Sequence, residues 1–130
     1  MDITITVGGD EFEATLEEEA APATVEAIRQ ALPIEGTAKT WGEEIYFTIP
    51  VDVGRENGQE TVEVGDLGYW PAGNAFCIFY GKTPMSPNES EIVPASAVNP
   101  IGRIEAPERL KGHETGETVR LERKSARHGG

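Results

Sequence analysis

Glycine and proline interrupt this chain so often that they leave little room for long helices. They occupy 15 and 9 of its 130 positions, and both residues mark turns and loops. Only one segment has a sustained helical period, with Val25, Ile28 and Leu32 on one face between Pro22 and Pro33. Proline suits the first turn of a helix and stops a helix that runs into it. The sequence therefore predicts one helix and otherwise short strands.

Apolar and polar residues alternate over several short stretches, which is typical of half-buried strands. The first two stretches flank the turn Gly8-Gly9-Asp10 and predict an opening hairpin. The predicted strands are residues 3–7, 12–16, 45–49, 61–64, 67–70, 76–80, 98–104 and 119–121. One helix with about eight short strands, without repeats or a domain-length linker, indicates a single, mainly β domain shaped as a barrel or a sandwich.

The formal net charge of −12, with 19 Glu against 4 Lys, restricts the partners of this chain. Nucleic-acid binding depends on clustered Lys and Arg, so no nucleic-acid partner is predicted. Salt screens the self-repulsion of an acidic surface, so the composition fits a halophilic archaeon. An acidic protein from a mesophilic host fits this composition equally well, so both hypotheses stay open.

Signals for export, metal binding and covalent catalysis are all weak. No apolar run approaches the roughly 20 residues of a membrane span, and no basic and then apolar segment opens the chain. The prediction is a cytoplasmic protein with no membrane partner. The single Cys77 lies in an apolar strand and is predicted to be a buried structural thiol. Two isolated histidines, His113 and His128, lack metal-ligand spacing, so no metal or cofactor is predicted.

Four segments resemble cyclophilin motifs and follow in cyclophilin order. APATVEAI (21–28) resembles the helix start Ala-Pro-x-Thr-Val-x-Asn-Phe, and GEEIYFTIP (42–50) resembles the strand Gly-x-x-Phe-His-Arg-Val-Ile-Pro. GDLGYWPAGNAFCIFYG (65–81) resembles the segment that holds two neighbouring barrel strands, and PIGRIE (100–105) resembles Val-Val-Gly-Lys-Ile. The third segment, with the Gly-x-Thr-Pro that follows it, is also similar to the TM1367-like family of uncharacterised cyclophilin-like proteins. The resemblance implies a closed β-barrel of about eight strands at residues 1–122, with one capping helix, and leaves 123–130 as a flexible C-terminal tail.

The chain departs from cyclophilins at the positions that matter for catalysis. Phe47 matches the Arg that contacts the proline amide, and Tyr46 matches the His beside it. Phe76 lies near the expected Gln, and Ile78 stands where an aromatic floor residue is expected. Prolyl isomerisation needs a donor for the twisted amide, and a Phe side chain cannot donate. No catalytic residue is therefore predicted, and an inherited fold does not guarantee the inherited activity.

The aromatic residues crowd into two stretches and suggest a pocket for an apolar ligand. The alternative is that they only fill a small barrel. If these aromatic residues form a pocket, Glu43 supplies a polar group to it. Asn74 either lies at the mouth of the pocket or only shapes a turn. The predicted binding residues are Trp41, Glu43, Tyr46, Trp70, Asn74, Phe76 and Ile78.

Three functions are compatible with these patterns. The first is a binding protein that holds a small apolar molecule or a peptide in an aromatic pocket. The second is a weak peptidyl-prolyl cis-trans isomerase, and the third is a non-catalytic protein-docking domain. The missing Arg favours the first and the third, and the sequence leaves the oligomeric state open.

Overall fold

The structure is a computed structural model that describes residues 1–124. Its strands are β1 (Asp2–Val7), β2 (Asp10–Leu16), β3 (Ile34–Thr37), β4 (Lys39–Thr40), β5 (Glu44–Thr48), β6 (Asp66–Trp70), β7 (Ala75–Phe79), β8 (Asn99–Ile104) and β9 (Thr118–Arg123). The helix α1 spans Pro22–Ala31, and two short 3-10 turns span Pro71–Gly73 and Pro107–Leu110. No helix within these residues has the length and apolar character needed to cross a membrane.

The strands form one antiparallel sheet that curls into a nearly closed barrel, which confirms the predicted fold. Their hydrogen-bonded order is β3-β9-β1-β2-β8-β6-β7-β5-β4. The two outermost strands, β3 and β4, are consecutive in the chain and separated only by Ala38. One segment therefore pairs with β9 through its first half and with β5 through its second half. Because this segment joins both ends of the sheet, it closes the barrel.

Apolar residues alternate with polar ones along the strands, and the apolar side chains fill the inside of the barrel. Ile3, Ile5 and Val7 of β1 are fully buried, and so is the large ring of Tyr69 on β6. The helix α1 adds Val25, Ile28 and the side chain of Thr24 to the buried set. The apolar residues among these belong to the main hydrophobic core, which lies inside the barrel.

Two stretches of the chain differ from the prediction made for them. Residues 61–64 form no strand, since only Val62 pairs in an isolated bridge with Ile92. Conversely, β3 and β4 were not predicted, because Gly36 interrupts a short and mostly polar stretch. A side chain at Gly36 would meet the Phe47 ring at 2.8 Å. Glycine at this position lets β3 approach β5, where the barrel closes.

The C-terminal boundary lies slightly beyond the predicted one. Arg123, assigned above to the tail, ends β9 opposite Ile3, and the Lys124 amide donates a hydrogen bond to the Asp2 carbonyl at 3.1 Å. The rest of the predicted tail, residues 125–130, lies outside the described residues.

Candidate functional site: an aromatic pocket on the outer face of the barrel

The outer face of β5, β6 and β7 carries its own hydrophobic cluster. In the strand register, Tyr46 lies beside Cys77, and Cys77 lies beside Gly68. All three positions face outward, because their neighbours along each strand face the barrel core. The cluster consists of Val62, Ala75, Cys77, Phe79, Ile92 and Val98, with Tyr46 and Trp70 packed against it. Side chains from the loops thus cover part of this face.

Gly68 permits the close packing of that covering layer. A side chain at Gly68 would lie 2.8 Å from the Val98 methyl group and 3.4 Å from the Phe79 ring. Further along the loop, the Ser86 hydroxyl oxygen accepts hydrogen bonds from the amides of Thr83 and Val93, both at 3.0 Å. These hydrogen bonds join two parts of the loop that follows β7.

An apolar cavity of about 190 Å³ remains open between this segment and the strands. Its lining residues are Trp41, Glu44, Tyr46, Trp70, Pro94, Ala95 and Val98. The Tyr46 and Trp70 rings meet edge to face, with centroids 6.3 Å apart and an interplanar angle of 83°. The Trp70 indole N–H donates to the Ser96 hydroxyl at 2.5 Å, which fixes the orientation of that ring. Three aromatic side chains from separate positions therefore converge on one small space.

A tight turn between β4 and β5 positions Trp41. Gly42 adopts a left-handed φ of +63°, and a side chain there would lie 2.8 Å from the Lys82 carbonyl oxygen. The Trp41 amide donates to the Glu44 carbonyl oxygen at 2.9 Å across the turn. Only glycine combines this backbone angle with so close an approach, and the turn brings the indole of Trp41 beside the first residue of β5.

Among the described residues, Glu44 is the one charged residue that lines this pocket. The residue is only 5% exposed, and it forms no ion pair within residues 1–124. Burial raises the pKa of this carboxyl from 4.5 to about 7, and contact with the Cys77 thiol acts in the opposite direction with a smaller effect. Burial also raises the pKa of Cys77 well above its usual value. Cys77 thus lies below the pocket as a protonated thiol, and Glu44 titrates near neutrality.

The other residues predicted for the pocket lie elsewhere. Phe76 and Ile78 face the barrel core and are fully buried there. Asn74 adopts a left-handed conformation after the 3-10 turn, and its amide donates to the Val51 carbonyl and the Tyr69 hydroxyl at 3.2 and 3.0 Å. Glu43 turns away from the pocket.

Glu43 and Glu44 face different surroundings because they occupy different positions of the turn. The Glu43 carboxylate accepts a hydrogen bond from the Lys82 amide at 3.3 Å and lies 3.9 Å from the Lys111 ammonium group. Glu44 begins β5 and shares its face with Tyr46, two residues further on. Period-two alternation, extended one residue before Ile45, would have pointed to Glu44 from the sequence.

A second and larger cavity has a different character. It measures about 580 Å³, and its lining includes five acidic side chains, Glu17, Glu19, Glu63, Asp66 and Glu91. Its one basic residue, Arg103, already pairs with Asp66. No group of three or more His, Cys, Asp or Glu side chains within residues 1–124 is arranged to hold a metal ion. The aromatic pocket is therefore the better candidate site, since ligand pockets are mostly apolar with a few placed polar groups.

Comparisons with known proteins identify the family. A family model described as Cyclophilin-like matches residues 1–122. The chain is also similar to the solution structure of a hypothetical protein from Archaeoglobus fulgidus, with 51% identity, a TM-score of 0.82 and coverage of 95% of each chain. None of the curated proteins compared with the sequence matches it. The chain belongs to the cyclophilin-like family.

Proposed function

We propose that this protein binds a small apolar group in the aromatic pocket formed by Trp41, Tyr46 and Trp70. The observation that carries the proposal is the convergence of these three rings around one open cavity. Aromatic side chains bury large apolar areas and favour ring or alkyl groups placed against them. An unfilled apolar cavity on an outer face has little value for folding, because close packing stabilises a core better than a void.

The volume of the pocket limits the size of the bound group. A cavity of about 150 Å³ is known to hold benzene, so the pocket of about 190 Å³ suits one ring or one branched alkyl group. A second depression shares Pro94 and Ala95 with the pocket and continues past Ser96 towards Arg55. A longer ligand, such as a peptide, has room to continue along it while one side chain fills the pocket.

The isomerase alternative receives no support from this pocket. No arginine lines it within the part of the chain that the structure describes. Phe47, at the position matched to the Arg of cyclophilins, is 1% exposed and packs inside the barrel with its centroid 5.6 Å from that of Phe76. The aromatic pocket and the Phe47 position thus lie on opposite faces of the sheet.

Titration of the isotope-labelled protein with neutral probes tests the proposal. We expect 3,3-dimethylbutan-1-ol and benzyl alcohol to shift the indole N–H signals of Trp41 and Trp70 in NMR spectra. Trp70→Ala should weaken this binding at least tenfold, because it removes one wall of the pocket. Val64→Ala, at an apolar residue exposed outside the pocket, is the matched control and should leave binding unchanged.

Undiminished binding by a folded Trp70→Ala variant would contradict the site. Absence of any shift up to the solubility limits of the probes would contradict the proposed function. Catalysed isomerisation of an Xaa-Pro peptide at low protein concentration would replace the proposal with the isomerase alternative.

A further inference from the structure

The side chains that line the pocket restrict the chemical class of its ligand further. We infer that the pocket binds an alkylated ammonium group, which the rings of Trp41, Tyr46 and Trp70 surround and the Glu44 carboxylate neutralises. This inference rests on the proposed function and adds a charge to the apolar group. The ammonium group can belong to a free small molecule or to a methylated lysine side chain, since both present the same cation.

The three rings suit a cation that carries alkyl groups. The face of an aromatic ring attracts a cation through its quadrupole, and the attraction grows when the cation is desolvated. Tryptophan is the strongest of the aromatic partners, and the pocket holds both tryptophans of the chain. Methyl groups on nitrogen weaken its hydration and add apolar surface that fits the apolar wall of Pro94, Ala95 and Val98.

Glu44 provides an independent argument for a positive charge. Burying a carboxylate without a partner is unfavourable, and folded proteins normally pair it or supply donors. Here the residue is 95% buried, and no charged group within residues 1–124 contributes to its ionisation. A cation in the pocket would supply the missing partner, whereas a purely apolar ligand would leave the carboxylate more desolvated.

Glu44 has few titratable neighbours, so its effect on binding can be isolated. The groups that face it are the Cys77 thiol on β7 and the Tyr46 phenol on β5, and among residues 1–124 no Lys, Arg or His lines the pocket. A quaternary ammonium ion keeps its charge at every pH. Its affinity should therefore follow ionisation of Glu44 and rise about tenfold from pH 6 to pH 8. A neutral ligand that accepts a hydrogen bond from protonated Glu44 would show the opposite trend.

Choline and 3,3-dimethylbutan-1-ol form a matched pair of probes, because they differ only in nitrogen against carbon. At pH 8 we expect choline to bind at least tenfold more tightly than the alcohol, as measured by NMR titration of the full chain. Glu44→Gln should weaken choline binding and leave binding of the alcohol unchanged, because the variant loses the carboxylate charge and keeps the three rings. Glu43→Gln, at the neighbouring acid outside the pocket, is the control and should leave choline binding unchanged.

The outcomes separate this inference from the proposed function. Equal binding of the two probes, or full choline binding by Glu44→Gln, would overturn the ammonium inference and leave the apolar site standing. Absence of binding by both probes would overturn both. A trimethyllysine peptide that binds more tightly than choline would assign the cation to a protein partner, and the reverse order would assign it to a free small molecule.

Discussion

Two glutamates in different regions of this protein have opposite surroundings. Glu56, in the loop after β5, accepts hydrogen bonds from the Ala23 amide at 3.0 Å, the Thr24 amide at 2.9 Å and the Thr24 hydroxyl at 2.8 Å. These groups open α1, so Glu56 caps the helix from a distant loop. Glu44, in the aromatic pocket, receives no comparable donor within the described residues.

The pKa values of the two carboxyls diverge accordingly. Burial acts to raise the pKa of Glu56, but its hydrogen bonds with Thr24 and Ala23 outweigh burial and hold the pKa below the usual value. Burial raises the pKa of Glu44 to about 7 because its partners are too few. The fold thus supplies hydrogen-bond donors to Glu56, which caps α1. It leaves Glu44 without comparable donors within the described residues, at the place where the aromatic pocket opens.

The largest expected effect is on stability, through Glu44→Gln. A folded-state pKa raised from 4.5 to about 7 means that the folded protein binds the extra proton between these values, so its stability falls as pH rises through that window. Gln cannot ionise and avoids this loss. We expect the variant to exceed the wild type by up to about 3 kcal/mol in free energy of unfolding at pH 8.

Chemical denaturation at pH 4 and pH 8 measures this difference. The two proteins should have nearly equal stability at pH 4, where Glu44 is protonated in both the folded and the unfolded state. A variant that is less stable than the wild type at pH 8 would show that Glu44 has a favourable partner, and would remove the contrast with Glu56.

A smaller effect of opposite sign is expected for Glu56→Ala. Loss of a helix cap lowers the free energy of unfolding by about 1 kcal/mol. A lowered folded-state pKa gives stability that is present above the usual carboxyl pKa and lost as pH falls through the lowered value. The deficit of the variant should therefore shrink in acid. Glu60→Ala, at an exposed acid in the same loop, is the control in denaturation at pH 7 and should match the wild type.

Local patterns in the sequence were enough for the elements whose partners are near in the chain. The hairpin of β1 and β2, the helix between Pro22 and Pro33, and the pair β6 and β7 all follow from alternation and turn residues. The closing strands β3 and β4 depend on β9 and β5 instead. Their short polar stretch carries no local period, so only the tertiary pairing reveals them.

The residues of the candidate site likewise include some that could be predicted from the sequence and some that could not. Trp41, Tyr46 and Trp70 could be named from the sequence because aromatic residues are conspicuous there, and the structure places them around one cavity. Pro94 and Ala95 could not, since they belong to a loop without periodicity in which the Val93 amide donates a hydrogen bond to the Ser86 hydroxyl. Val98 was predicted as part of a strand but not as part of the pocket. Phe76 and Ile78 were predicted for the pocket but face the barrel core. An error of one residue in strand phase is enough to move a side chain from one face of the sheet to the other.

The most direct test is an NMR pH titration of the Glu44 side-chain carboxyl carbon, with and without saturating choline. We predict a pKa of about 7 for Glu44 in the free protein and a clear decrease when choline is bound, because the cation favours the ionised form. A free-protein pKa near 4.5 that choline does not change would contradict the claim that this pocket buries an unpaired carboxylate for a cationic ligand.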